Sequence, residues 1–119
     1  MKLVFYGIPI TKSNVKIRSA RGRYYLPEKY KRYEQGLQYQ FIQQRPDNFK
    51  MFLGDIKVII NFYFPDRRRR DIINYPKSFC DAFNNLIWKD DSQIVEAHLF
   101  KFIDKVSPRA ELTISTEQC

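Results

Sequence analysis

The chain has 119 residues, of which 44% are hydrophobic, so we expect one folded domain over residues 1–119 rather than a disordered basic tail. Its 21 basic residues outweigh 13 acidic ones, and the net charge of +8 favours nucleic acid as partner over a membrane surface. The two cysteines are too few and too far apart for a disulfide framework or a zinc site. No apolar run approaches the ~20 residues of a membrane span, so we expect a soluble, cytoplasmic protein.

The first part of the chain predicts a strand followed by a basic loop. Residues 2–8 are mostly apolar and end at Gly7 and Pro9. The segment TKSNVKIRSARGRYYLP then mixes basic and aromatic residues, which is typical of a hairpin or mobile loop. Such a loop suits phosphate contact and stacking on an unpaired base, and a solvated loop is the open alternative. Its candidate DNA-binding residues are Lys12, Lys16, Arg18, Arg21 and Arg23.

A helix and a strand are predicted next. Pro27 suits a first helical turn, and apolar residues recur at three- and four-residue steps to give one face over about 28–44. Residues 55–64 alternate strictly between two faces, which predicts a strand that leads into Pro65 and a run of arginines.

A second helix is predicted to begin near Asn74, with Pro76 in its first turn. We expect Lys77 to lie near the helix N-terminus, close to Asp71. An exposed pair between Lys77 and Asp81, one turn apart, is the structural alternative to a functional lysine.

The C-terminal part predicts two more strands. Residues 94–103 form one of them, and residues 110–115 form the other, joined to it by the turn DKVSPR as a hairpin. We expect a structural role for His98, because no serine or cysteine is spaced to partner it in a catalytic triad.

The stretch from Pro65 to Asp91 carries the functional signal. It opens with Arg67 to Arg70, continues with Asp71, and ends on the pair Asp90 and Asp91. Carboxylates bind hard cations such as magnesium, and arginines neutralise the phosphates of a polyanion. The pattern therefore indicates metal-assisted chemistry on a polyanion, with a solvated charge run as the alternative.

This stretch resembles the RusA-type Holliday-junction resolvases. The resemblance rests on PDRRRRD followed by an asparagine and a lysine, on a helix that carries DAF, and on WKDDSQIVE. The segments GIPITKSN, RGRYYLPEKYKRYE and PRAELTI extend it over nearly the whole chain. It implies an α/β (α+β) fold with a mixed sheet of about four strands and two main helices. It also implies a homodimer and magnesium-dependent cleavage at the crossover of four-way DNA.

The resemblance assigns residues to roles. Asp71, Asp91 and Lys77 are the implied catalytic residues, and Asp71 and Asp91 are the implied metal ligands, with Asp90 as a further one. Arg67, Arg68, Arg69 and Arg70 would clamp the DNA backbone together with the basic loop. The chain departs from the family at the second aspartate of its DxDN motif, where Ile73 has no oxygen with which to bind a metal.

Three outcomes are open at Ile73. The remaining aspartates and water hold the ion, Glu96 or another carboxylate takes over, or the protein has lost cleavage and keeps junction binding. Ile73 itself either faces the metal or has been recruited to the core. A third class of function, an RNA-binding module, fits the charge but leaves the acidic pair unexplained.

Overall fold

The computed structural model describes residues 1–11 and 28–116 in full, and the backbone of residues 17–18 and 24–25. Its strands and helices, in chain order, are β1 (Lys2–Tyr6), β2 (Ile17–Arg18), β3 (Tyr24–Tyr25), α1 (Glu28–Gln44), β4 (Ile56–Phe64), α2 (Tyr75–Asp81), β5 (Ile94–Ile103) and β6 (Arg109–Thr116).

Four strands form a mixed sheet in the order β1-β6-β4-β5. β4 and β5 are parallel, whereas β6 is antiparallel to both of its neighbours. The parallel pair needs a crossover, and α2 provides it. With α1 and α2 as the two main helices, this is the predicted α+β fold, which is confirmed.

The predicted hairpin between β5 and β6 is wrong. β6 pairs with β1 and β4 instead, and β5 lies at the sheet edge. Ala110, Leu112 and Ile114 of β6 are all buried on one face, and β6 is hydrogen-bonded to β1 on one side and to β4 on the other, so it is a central strand. No residue of β5 is fully buried, which suits an edge position.

The basic loop does contain an antiparallel pair, β2 with β3, in the register Ile17↔Tyr25 and Arg18↔Tyr24. The side chains predicted there to bind DNA lie outside the described residues. They are those of Lys12, Lys16, Arg18, Arg21 and Arg23.

One face of the sheet carries the core, and we call it the inner face. Val58, Ile60 and Phe62 of β4 point into it, together with Leu37 and Phe41 of α1 and Phe79 of α2. The strict alternation of β4 produces this arrangement, because every second side chain points to the same side. Phe79 packs edge-on against Phe62, with the ring centroids 5.8 Å apart, so α2 packs directly against the inner face of the sheet.

The free edge of β1 is covered by α1. The side-chain amide of Gln40 accepts from the backbone N–H of Tyr6 and donates to its carbonyl, at 2.7 and 3.0 Å. Gln44 does the same for Val4, at 3.0 and 2.9 Å. These amides act in place of a neighbouring strand, and edges closed in this way do not recruit another chain.

α2 begins at Tyr75, next to the predicted start near Asn74, and is 7 residues long. It ends at Asp81, and Phe83 and Ile87 reach the core from the turns that follow it. Asn85 has a φ of 63°, in the left-handed region, and its N–H donates to the carbonyl of Trp88. No helix in the described part of the chain is long and apolar enough to cross a membrane.

Candidate functional site

Lys77 joins two carboxylates at the start of α2. Its Nζ donates to Oδ2 of Asp91 at 2.8 Å and lies 3.0 Å from Oδ1 of Asp81. Asp81 is one turn further along the same helix, and Asp91 begins the 3₁₀ turn Asp91–Gln93 that leads into β5. The hydrogen bonds to Asp91 and Asp81 raise the pKa of Lys77, so the lysine is a fixed positive charge at neutral pH.

The two carboxylates are much less exposed than the lysine. The exposed fraction of the side chain is 17% for Asp81 and 18% for Asp91, against 71% for Lys77. Water therefore screens the two negative charges poorly, and a cation between them is favoured. Asp81 was not predicted as a site residue. The only sequence signal for it was its spacing of four residues from Lys77.

An apolar cavity of about 240 Å³ lies beside this cluster. It is lined by Val58, Ile60, Pro76, Lys77, Cys80, Asp91, Ile94 and Ala97. Burial raises the pKa of the Cys80 thiol to about 12, so it stays protonated and unreactive at neutral pH. The chemistry of the cavity therefore rests on the lysine and the carboxylates.

Asp71 and Ile73 lie just before α2. Asp71 has an extended backbone, is exposed, and makes no side-chain hydrogen bond or ion pair with another described residue. Lys77 contacts Asp81 and Asp91 rather than the predicted neighbour Asp71. Ile73 is 75% exposed, so the interpretation that it was recruited to the core is wrong. Its neighbour Ile72 packs against the core instead.

Asp90 caps the 3₁₀ turn that presents Asp91. Its Oδ2 accepts from the backbone N–H of Ser92 at 3.0 Å, and Oε1 of Gln93 accepts from the backbone N–H of Asp90 at the same distance. The hydrogen bonds from Ser92 lower the pKa of Asp90. This capping box orients the turn, whereas Asp91 points to Lys77. Neighbouring aspartates thus have different contacts.

Glu96 does not replace the missing aspartate. It lies 3.8 Å from Lys57 and 3.1 Å from Nε2 of His98. Ala97, the next residue, lines the cavity on the inner face, so Glu96 points to the opposite face of the sheet. The open alternative that Glu96 takes over the metal site is not supported by this placement. His98 lies on the same outer face.

The four arginines divide into two groups. Nη1 of Arg70 lies 2.8 Å from Oδ1 of Asp66, and its guanidinium lies 4.7 Å above the ring of Phe64. Arg68 donates its backbone N–H to the same carboxylate at 3.0 Å. The hydrogen bond from the Arg68 backbone, with that from Arg70, lowers the pKa of Asp66. Arg70, with only 14% of its side chain exposed, is a structural residue rather than a free phosphate contact.

Arg67 and Arg69 are exposed and make no ion pair with another described residue. Two clefts flank the run, one of about 280 Å³ beside Lys101 and one of about 480 Å³ that includes Lys29. Basic side chains line both clefts, which makes this surface suitable for a polyanion.

Within the described ranges, no group of three acidic, histidine or cysteine side chains is close enough to hold a metal ion. Two carboxylates nevertheless suit magnesium, because this ion keeps several waters and takes its remaining ligands from substrate phosphates.

Known proteins resemble this chain over most of its length. The family model described as Endodeoxyribonuclease RusA matches residues 7–115. The uncharacterized protein YqaN of Bacillus subtilis is 26% identical over an alignment that covers 96% of this chain and 94% of that protein.

Two further relatives match half of the chain. They are the proteins named crossover junction endodeoxyribonuclease RusA in Escherichia coli strain K12 and in Enterobacteria phage 82, each 39% identical over 61 residues. These alignments cover 50% of this chain and 51% of each relative.

Proposed function

The chain belongs to the RusA family of endodeoxyribonucleases, and we propose that it is a magnesium-dependent endonuclease that resolves four-way DNA junctions. The observation that carries this proposal is the contact of Lys77 with Asp91, 2.8 Å long, beside a second carboxylate. An ion pair of this kind at a cavity, in a protein that also carries a basic surface, matches the needs of phosphodiester cleavage.

Magnesium is the proposed cofactor. Asp91 and Asp71, which the family motif marks, are the proposed ligands. Asp81 lies near Asp91 across the ammonium of Lys77, and these three carboxylates do not form a preassembled three-residue site. Asp90 remains a candidate ligand, although its described contacts are those of a cap. When bound, the ion would activate a water and offset charge on the transferring phosphate.

Lys77 has a separate role in this proposal. Its charge is fixed by Asp81 and Asp91, and 71% of its side chain is accessible to a substrate. The ammonium would contact the scissile phosphate or the leaving oxygen, where negative charge develops. Because Asp81 and Asp91 already hold the ammonium in place, it needs little reorganisation when negative charge develops on the phosphate.

The proposed DNA contacts come from the arginine run. Arg67 and Arg69 are exposed and make no ion pair with another described residue, and Lys29 lines the neighbouring cleft. These charges would bind backbone phosphates and fix the position of the junction without reading its sequence. The basic loop from Lys12 to Arg23 is proposed to add further contacts.

We also propose a homodimer. A four-way junction offers two equivalent strands, and paired nicks need two equivalent sites around one two-fold axis. A closed dimer meets this requirement, whereas an open filament does not.

The second candidate is a junction-binding protein with weakened or lost cleavage. The exposed Ile73 favours it, because an apolar side chain stands where the family motif has a carboxylate. An RNA-binding module is less well supported, since it gives no role to the cluster of Lys77, Asp81 and Asp91.

The test compares a synthetic four-way junction with linear duplex and with structured RNA of the same length, each with magnesium and with a chelator. The proposed function predicts symmetric, magnesium-dependent nicks on the junction alone. Binding to the junction without nicks would select the second candidate, and a preference for RNA would exclude both.

A further inference from the structure

We propose that the cleft beside Lys101 holds one unpaired nucleotide of the DNA, with its base stacked on the ring of Phe102 and its phosphate beside the cationic side chains that line the cleft. Because this names a part of the DNA substrate, it rests on the proposed function. Two independent features point to it. They are a row of stacked planar side chains that ends at β5, and the surplus of positive charge next to that end.

Three planar side chains form the row across the outer face of the sheet. The guanidinium carbon of Arg109 lies 3.8 Å from the ring centroid of Tyr63. The rings of Tyr63 and Phe102 are stacked, with centroids 5.0 Å apart and 23° between their planes. These residues are direct neighbours on β6, β4 and β5. Because adjacent strands are ~4.8 Å apart, the row follows the strand-to-strand direction.

The row ends at Phe102. β5 is an edge strand and has β4 as its only strand neighbour in the described part of the chain. Tyr63 therefore covers one face of the Phe102 ring, and the residue is still 42% exposed. The next position in the row is open to a planar group from another molecule. A nucleobase would extend the row by one member, since every base has a face that stacks on an aromatic ring.

Cationic side chains surround this open position. Arg67, Arg68 and Lys101 are exposed and line the same cleft as the stacked ring. Asp66 is the single carboxylate in the described lining, and its charge is offset by Nη1 of Arg70 at 2.8 Å and Nε of Arg68 at 3.7 Å. The cleft thus keeps a surplus of positive charge, which suits a phosphate.

Lys101 is positioned to hold that phosphate. Its Nζ donates to the backbone carbonyl of Arg70 at 3.1 Å. An ammonium has three N–H donors, so others remain for a ligand. Arg70 is followed directly by Asp71, so the cleft adjoins the segment that carries a proposed metal ligand. A nucleotide held here would fix the DNA next to the site of cleavage.

The size of the cleft suits a single nucleotide rather than a duplex. Its volume of about 280 Å³ is close to the lower limit of roughly 300 Å³ for small-ligand sites. A base inside a duplex is covered on both faces by its neighbours, so only a base that has left the stack can reach Phe102. Leaving the stack costs least where pairing is already disturbed. The crossover of a four-way junction, where strands exchange partners, is therefore the expected source of this nucleotide.

Of the two exposed phenylalanines on the outer face of β5, Phe102 is the one to test. It lines the cleft, whereas Phe100 lies two residues further back along the strand.

The test measures the affinity of the protein for a labelled oligothymidylate of about six nucleotides by fluorescence anisotropy. An abasic oligonucleotide of the same length is the control, and a chelator replaces magnesium so that no cleavage occurs. We expect the oligothymidylate to bind about fivefold or more tightly, which is the low end of what stacking on an aromatic side chain contributes. Equal affinities would mean that the cleft takes phosphates alone and would overturn the inference.

Variants assign this preference to one ring. Phe102→Leu keeps an apolar side chain without the ring and should abolish the preference for the oligothymidylate, whereas Phe102→Trp should preserve it. Tyr6→Leu is the matched control, because it removes an aromatic residue that is 63% exposed on the other edge strand, and it should bind like the unchanged protein. Melting temperatures check that each variant is folded. A preference that survives Phe102→Leu, or that is lost in Tyr6→Leu, would contradict the proposed stacking.

The phosphate contact is tested by Lys101→Met. This change should flatten the log–log dependence of oligothymidylate affinity on salt by about 0.7, the contribution of one phosphate on a single strand. It should leave the preference for bases over abasic sites in place, and an unchanged salt dependence would remove Lys101 from the subsite. An oligouridylate that bound more tightly than the oligothymidylate would assign the cleft to RNA and overturn the inference.

These outcomes are independent of cleavage. Binding that depends on Phe102, in a protein that never nicks junctions, would support the subsite and contradict the nuclease. Nicking of junctions by a protein that binds oligothymidylate and abasic DNA equally would support the nuclease and contradict the subsite.

Discussion

Nζ of Lys77 lies 2.8 Å from Oδ2 of Asp91, which joins the start of α2 to the turn that precedes β5. The two residues are 14 positions apart in the chain. Asp81 approaches the same nitrogen from the other side, at 3.0 Å. One cation therefore lies between two largely buried carboxylates, and this arrangement is the basis for the predictions on the site.

The first prediction separates the neighbouring aspartates. Asp91→Asn removes the charge beside Lys77 and should lower junction cleavage about 100-fold or more, which is roughly 3 kcal/mol of transition-state stabilisation. Asp90→Asn should leave cleavage within about threefold, because asparagine also caps a helical turn. The measurement is the single-turnover rate on a four-way junction, with junction affinity as the check on folding. Equal losses in both variants would make Asp90 a metal ligand.

The second prediction concerns the arginine run. Replacing Arg67 and Arg69 together by alanine should flatten the log–log dependence of junction affinity on salt by about 1.8, since each phosphate contact contributes about 0.9 on duplex DNA. Both side chains are exposed and have no ion pair with another described residue. The affinity is measured by fluorescence anisotropy from low to moderate salt.

Arg70→Ala is the matched control for this prediction. Arg70 binds Asp66 at 2.8 Å, so its loss should lower the melting temperature and leave the salt dependence unchanged. A salt dependence that flattens with Arg70→Ala and not with the double variant would show that the wrong arginines had been assigned to DNA.

The periodicity of the sequence predicted where the helices and strands lie, but it did not predict which strands pair with each other. α1 begins and ends at the predicted residues, Glu28 and Gln44, because an apolar face of period 3.6 has few alternatives. β5 and β6 were also found at nearly the predicted positions. Their pairing was wrong because closeness in sequence favours a hairpin, whereas β6 pairs with β1 and β4, and the alternation of side chains along a strand does not identify its neighbours.

The site shows the same limit. The spacing of Lys77 and Asp81 was visible in the sequence, since residues four apart share a helix face. The approach of Asp91 was not, because it depends on how the turn after Trp88 folds back over α2. The structural role of Arg70 was equally hidden, because four identical residues in a row give no sign of which one turns inward.

The third prediction concerns acid stability. Arg109 lies 2.8 Å from Oδ2 of Asp104 and 2.9 Å from Oε2 of Glu111, and its guanidinium lies 3.8 Å from the ring centroid of Tyr63. The hydrogen bonds from Arg109 lower the pKa of both carboxyl groups. A group with a lowered pKa in the folded state stabilises the fold above its unfolded pKa, roughly 4, and this stabilisation is lost as the pH falls through the folded pKa.

Arg109→Met should therefore lower the melting temperature most at pH 7, and the difference from the unchanged protein should shrink below about pH 4. Thermal unfolding followed by circular dichroism between pH 7 and pH 3 measures this difference. A difference that stays constant over that range would show that Arg109 contributes through its packing on Tyr63 rather than through its charge.

The last prediction concerns Ile73, where the chain departs from the family motif. Ile73 is 75% exposed, so a carboxylate at this position would remain solvated. Ile73→Asp should therefore change the melting temperature by no more than about 2 °C. It also places a second carboxylate two residues after Asp71, which should tighten magnesium binding and raise the cleavage rate at limiting magnesium.

Ile72→Asp is the control, because it adds the same charge one residue earlier. Ile72 is partly buried against the core, so the new carboxylate would lose part of its hydration, and the variant should melt at a lower temperature with no gain in cleavage. Cleavage rates and melting temperatures of both variants are measured across a magnesium titration. A rise in cleavage with Ile73→Asp alone would mean that the natural isoleucine weakens an otherwise intact metal site. Suppose instead that the unchanged protein already cuts junctions and that a stable Ile73→Asp variant cuts them no faster. Asp81, which Lys77 holds beside Asp91, would then supply the carboxylate that the motif lacks.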